Sequence, residues 1–207
     1  MQALRAVKSS ACAVSPDSGD AATAYHRCMN DDVCDAGAKA RGAAGTDAFA
    51  YLPRIVAFLE SIGLRVEWGE VPDATFLPGI LVIGNGMRVD RAKLKYPGDL
   101  LHEAGHLAGL PPDVRRQALP DVGADGGLEM MALAWSYAAA LAIGVPPAVL
   151  FHAEGYKGGA TALIENFAVG RFVGVPMLQR FGMACEPRRA AEQGVPPFPH
   201  MLHWLRG

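Results

Sequence analysis

Residues 102–106 of this 207-residue chain read His-Glu-Ala-Gly-His. On an α-helix His102 and His106 lie one turn apart, so both imidazoles leave the same face and can share one metal ion. Glu103 is rotated by about 100° from His102. It borders that face and reaches a water on the metal rather than the metal itself. This is the H-E-x-x-H arrangement of zinc hydrolases: Zn²⁺ brings the pKa of its water towards about 7, and the Glu takes the proton as the water attacks a carbonyl. The neighbours Leu100, Leu101, Ala104, Leu107 and Ala108 are apolar, which predicts a buried helix rather than a solvated face. Pro97 and Asp99 suit its first turn and Gly109 with Pro111-Pro112 its end, which predicts a helix over about 97–108.

A catalytic zinc takes three protein ligands and keeps one position open. The metzincin pattern H-E-x-x-H-x-x-G-x-x-H fits as far as Gly109, but its third ligand position is Pro112, which cannot ligate, and Asp113 is one residue late. A Glu from the next helix is the other scheme, and Glu129 is placed for it. It opens an otherwise apolar run to Leu141, where an unpaired buried carboxylate is costly and a metal compensates it. A helix N-terminus alone also favours a Glu there. Asp125, one turn earlier, is the reserve ligand and Asp121 a weaker one; either also suits a hydrogen-bond partner for a His ligand.

The length makes a single core the default. A net charge of −2 gives no electrostatic case for nucleic acid or an anionic membrane. Cys12, Cys28, Cys34 and Cys185 lack C-x-x-C spacing and read as reduced thiols. No apolar stretch follows Arg5 and Lys8, so no signal peptide is expected and the placement expected is cytoplasmic. Leu128–Val145 is long and nearly uncharged, but its Trp135, Ser136 and Tyr137 and its ending at Gly144 and Pro146 favour a buried core helix over a membrane span.

Residues 1–45 are rich in Ala, Gly, Asp and Ser and remain poorly defined, apart from a helix around Ala21–Met29. Phe49, Leu52, Ile55, Val56, Leu59 and Ile62 predict a helix over 47–62, with Pro53 in a first turn and Gly63 as its stop. Leu64, Val66 and Trp68 alternate with Arg65 and Glu67 as in a half-buried strand. Residues 79–83 predict a second strand, Asn85-Gly86 a turn, and residues 87–89 a short third strand. After the Glu129 helix, 147–152, 159–169 and 175–181 read as shorter helices, and the Pro-rich stretch 194–199 as extended. The fold class expected is α+β: a mainly helical, minimal zincin-like domain over 46–207, with a sheet of about three strands and the motif helix.

This order, with Ile80-Leu81-Val82-Ile83-Gly84-Asn85 before the motif, Arg91-Ala92-Lys93 leading into it, and Glu129 with Ala132 and Ala134 after it, resembles the ImmA/IrrE-type zinc metallopeptidases, a gluzincin-like family. The likeness covers roughly residues 47–142. It implies His102, His106 and Glu129 as metal ligands, Glu103 as general base and a peptide or protein as substrate. The family often has a His shortly after the motif where this chain has Leu110 and Pro111, typically an Asn where it has Leu133, and in many members a helix-turn-helix unit not seen here. Residues 146–207 have no counterpart.

Such a site also needs a donor for the oxyanion of the tetrahedral intermediate. His152 and Tyr156 are the downstream candidates, against a plain surface loop. Tyr137, eight residues after Glu129, faces either the same cleft or the core. His200 and His203 read as a solvated tail rather than a second metal site, and Met130, Met131 and Trp135 as packing. The function expected is zinc-dependent hydrolysis of a peptide bond. A non-catalytic zinc module closed by a fourth ligand such as Asp125, a hydrolase of another amide or ester, and an interaction protein without metal remain open. Oligomeric state is not legible.

Overall fold

The structure, a computed structural model, describes residues 47–118 and 125–207. The expected Ala21–Met29 helix, Cys12, Cys28, Cys34 and Asp121 lie outside these residues. The fold is α+β, with a small mixed sheet of three strands.

Asp47 accepts a hydrogen bond from the Phe49 amide at 2.9 Å and starts a 3-10 turn, Ala48–Tyr51, that leads into α1, Leu52–Ser61. The one helix expected over 47–62 is therefore two segments, divided where Pro53 enters α1. Leu52, Ile55 and Leu59 form its buried face. Gly63, at a φ of 92° that other residues rarely adopt, ends it.

β1 is Arg65–Trp68, β2 Ile80–Val82 and β3 Gly86–Val89. β2 and β3 form an antiparallel hairpin with Ile80 opposite Val89, and β1 joins β3 in parallel with Val66 opposite Met87. The strand order is β1-β3-β2. Leu64 and Val66 are buried as the alternation requires, but Trp68 is 51% exposed because the strand ends there. Asn85 in the hairpin turn donates to the Gly63 carbonyl at 2.7 Å and ties the hairpin to the end of α1.

The remaining elements are α2 (Asp99–Gly109), α3 (Pro112–Arg115), α4 (Gly126–Ala142), α5 (Pro147–Leu150), a 3-10 turn at Tyr156–Gly158, α6 (Ala160–Ala168), α7 (Val175–Arg180) and α8 (Pro187–Gln193). α4 is buried at every position from Met131 to Ala140, as a helix apolar on all sides must be. No helix among the described residues is long and apolar enough to cross a membrane. The short helices α3 and α8, which begin at Pro112 and Pro187, were not expected.

α2 and α4 pack closely where Gly105 meets Ala132: a Cβ on Gly105 would lie 2.9 Å from the Ala132 carbonyl oxygen and 3.0 Å from its Cα. The glycine within the motif is there for space. Trp135 of α4, fully buried, donates from Nε1 to the Trp204 carbonyl at 2.8 Å, which fixes the end of the chain against the core.

Candidate metal centre

Two helices bring the site together. α2 supplies His102 and His106 on one face. α4 begins at Asp125, whose Oδ1 accepts from the Gly127 and Leu128 amides at 2.7 and 3.2 Å, and this cap places Glu129 in the first turn facing α2. His102 Nε2 lies 3.3 Å from Glu129 Oε1, His106 Nε2 lies 3.1 Å from Glu129 Oε2, and the two Nε2 atoms are 3.1 Å apart. These separations suit a shared tetrahedral ion. With zinc–ligand distances near 2.0–2.1 Å, two ligand atoms of a tetrahedron lie about 3.3 Å apart. Each of the three residues could offer one ligand atom to such an ion. His102, His106 and Glu129 form the one group of at least three His, Cys, Asp or Glu among the described residues that could hold a metal ion.

The electrostatics follow from proximity and burial. Hydrogen bonds from His102 and His106 hold the Glu129 carboxyl far below the usual carboxylate range, against a smaller opposing effect of burial. At His102 burial disfavours the cation, but the Glu129 hydrogen bond, with Glu103 and Asp99, turns the net shift upward. Glu103 moves upward because it is desolvated, and the two histidines only partly offset this. A carboxylate raised towards neutrality is the form suited to accept and return a proton.

One turn before His102, Asp99 is 7% exposed. It accepts from His152 Nε2 at 3.0 Å, and the His152 ring stacks on Tyr96 at 3.7 Å and 8°. Burial raises the Asp99 carboxyl, with the His152 interaction opposing. From sequence alone Asp99 reads only as a residue of a helix first turn, and Tyr96 has no role. Their partner is 53 residues away for Asp99, so no local pattern signals the pairing. Tyr156 sits edge-on to His102, ring centroids 5.8 Å apart.

Other candidates fall elsewhere. Asp125 is the α4 cap and not a fourth ligand. Asp113 is exposed on α3, and neither it nor Asp125 belongs to the metal-holding group. Tyr137 is buried and stacks on Phe167 at 4.7 Å, which settles its alternatives in favour of the core. His200 and His203 are exposed and outside any described metal-holding group. No family model, curated protein or solved structure matches this chain.

Proposed function

We propose that the chain is a zinc metallopeptidase on a zincin-like scaffold, distantly of the ImmA/IrrE type. The observation that carries this reading is the convergence of His102, His106 and Glu129: the two Nε2 atoms are 3.1 Å apart, and each lies within 3.3 Å of one of the two Glu129 carboxylate oxygens, beside a desolvated Glu103 on the same helix. Two imidazoles and a carboxylate are a zinc donor set, and bound zinc supplies Lewis acidity and a water of lowered pKa. Glu103 takes the proton of the attacking water on its carboxylate and returns it to the nitrogen of the leaving amine. β2 forms one edge of the sheet, and an extended peptide can add to such an edge through its main chain.

A non-catalytic zinc module requires a fourth protein ligand, and Asp125, whose Oδ1 caps two backbone amides, lies outside the metal-holding group among the described residues. This favours an open, hydrolytic site. The test is Glu103→Gln in zinc-loaded protein, assayed by mass spectrometry on a peptide library. Zinc content should be unchanged and turnover should fall by about 10²–10⁴-fold. Undiminished cleavage in the variant removes Glu103 as base. Hydrolysis of small amides or esters with no peptide cleaved by wild type moves the substrate class while keeping the chemistry.

A further inference from the structure

We propose that Tyr156 donates the hydrogen bond that stabilises the substrate carbonyl oxygen as it gains negative charge. This rests on the hydrolytic reading above. Tyr156 lies on the segment between α5 and α6, which is anchored on one side of it. His152 is fixed there by its hydrogen bond to Asp99 and its stack on Tyr96. Gly155 leaves no room beyond a hydrogen next to that ring, because a Cβ would stand 2.8 Å from His152 Cε1. Immediately afterwards Tyr156 and Lys157 adopt φ of 56° and 52°. Two consecutive non-glycine residues in the left-handed region are strained, and strain of this kind concentrates where the backbone must aim a functional group.

What it aims is the Tyr156 ring. The ring packs edge-on against the proposed ligand His102 at 5.8 Å and 82°, and edge-on against Phe151 at 5.2 Å. Its hydroxyl donates to the Leu150 carbonyl at 3.3 Å, long for an O–H···O bond, which prefers about 2.7–2.8 Å. A phenol stays protonated at neutral pH, so this is a loosely engaged donor on a ring that packs against His102. His152 is a poorer candidate for substrate contact. Its Nε2 is engaged by Asp99 and its Nδ1 is buried, so it is a positioning residue for the segment.

In the step concerned, the water oxygen bonds to the carbonyl carbon and the C=O π pair moves onto the carbonyl oxygen. The water proton passes to Glu103. When the C–N bond breaks, the pair re-forms C=O and the amine leaves with the Glu103 proton. Tyr156 exchanges its bond to Leu150 for one to that oxygen and transfers no proton. Preorganised donors of this kind contribute about 10²–10³-fold in kcat.

The experiment uses the zinc-loaded full chain and phosphinic pseudo-tripeptides, whose tetrahedral anionic phosphorus mimics the charged carbonyl centre. The library member that wild type binds most tightly is titrated calorimetrically into wild type, Tyr156→Phe and Tyr137→Phe. Tyr156→Phe should keep its zinc and melting temperature and bind the probe about 10–100-fold more weakly, as expected for a lost hydrogen bond to a charged group. Tyr137→Phe, which loses a hydroxyl in the core, should bind as wild type. Equal probe affinity in Tyr156→Phe and wild type overturns the role of Tyr156 alone. Zinc-loaded wild type that binds no phosphinic member overturns the peptidase reading, and the inference with it.

Discussion

Asp125 and Glu129 stand one turn apart at the start of α4 and have separate tasks. Asp125 caps backbone amides, while Glu129 faces two imidazoles. Asp125→Ala should therefore cost about 1 kcal/mol of stability, a melting shift of about 2–4 °C for a chain of this size, with zinc stoichiometry intact. Loss of zinc from a folded Asp125→Ala protein would assign the ligand role to Asp125. His102, Glu103 and His106 were legible because their spacing matches the helical repeat. Glu129 was legible because a lone carboxylate opening an apolar helix demands a partner. Asp99 and Tyr96 were not, since their importance arises only when the fold carries His152 against them.

At the level of elements, the approach of α2 to α4 sets the distance between the histidines and Glu129. Gly105→Ala gains up to about 1 kcal/mol in helix propensity, but its Cβ meets Ala132 backbone atoms at 2.9 and 3.0 Å, and overpacking of this kind costs about 1–3 kcal/mol. The variant should be less stable than wild type and bind zinc more weakly, because the displaced backbone lies one turn from Glu129. Isothermal titration of zinc into metal-free protein reads this directly, and unchanged zinc affinity would separate helix spacing from the site. The β2–β3 hairpin was legible from the apolar run at 79–83 and the Asn85-Gly86 turn. The parallel pairing of β1 with β3 was not, because it joins strands separated by the whole of β2. The short helices α3 and α8 escaped notice because a proline at a first turn reads equally as a loop.

For the whole described region, the end of the chain closes the motif helix. The Arg206 amide donates to the Ala108 carbonyl at 2.9 Å, and its guanidinium donates to the Gly109 carbonyl at 3.3 Å. The buried Arg115 donates to the Arg206 carbonyl at 3.1 Å. The Ala108 and Gly109 carbonyls lie at the C-terminus of α2, where such groups lack intrahelical partners and carry partial negative charge that cations stabilise. Trp204 packs edge-on against Phe58 and Trp135, at 4.9 and 5.6 Å. Deleting residues 201–207 removes several of these hydrogen bonds, at roughly 1 kcal/mol each. It should lower stability by at least about 3 kcal/mol, a fall of about 6–12 °C in Tm. An unchanged Tm would show that α2 does not depend on this closure. Sequence patterns did not show this closure, because the Arg206 contacts run to a helix almost a hundred residues earlier.

His102, His106 and Glu129 are proposed to hold one metal ion together. Elemental mass spectrometry of the purified full chain, beside His102→Ala and Glu129→Ala, tests it most directly. Near-stoichiometric zinc is expected in wild type, lost in both variants while each remains folded. Wild type that takes up no metal even after reconstitution would contradict it, and would leave the three side chains as a hydrogen-bonded cluster.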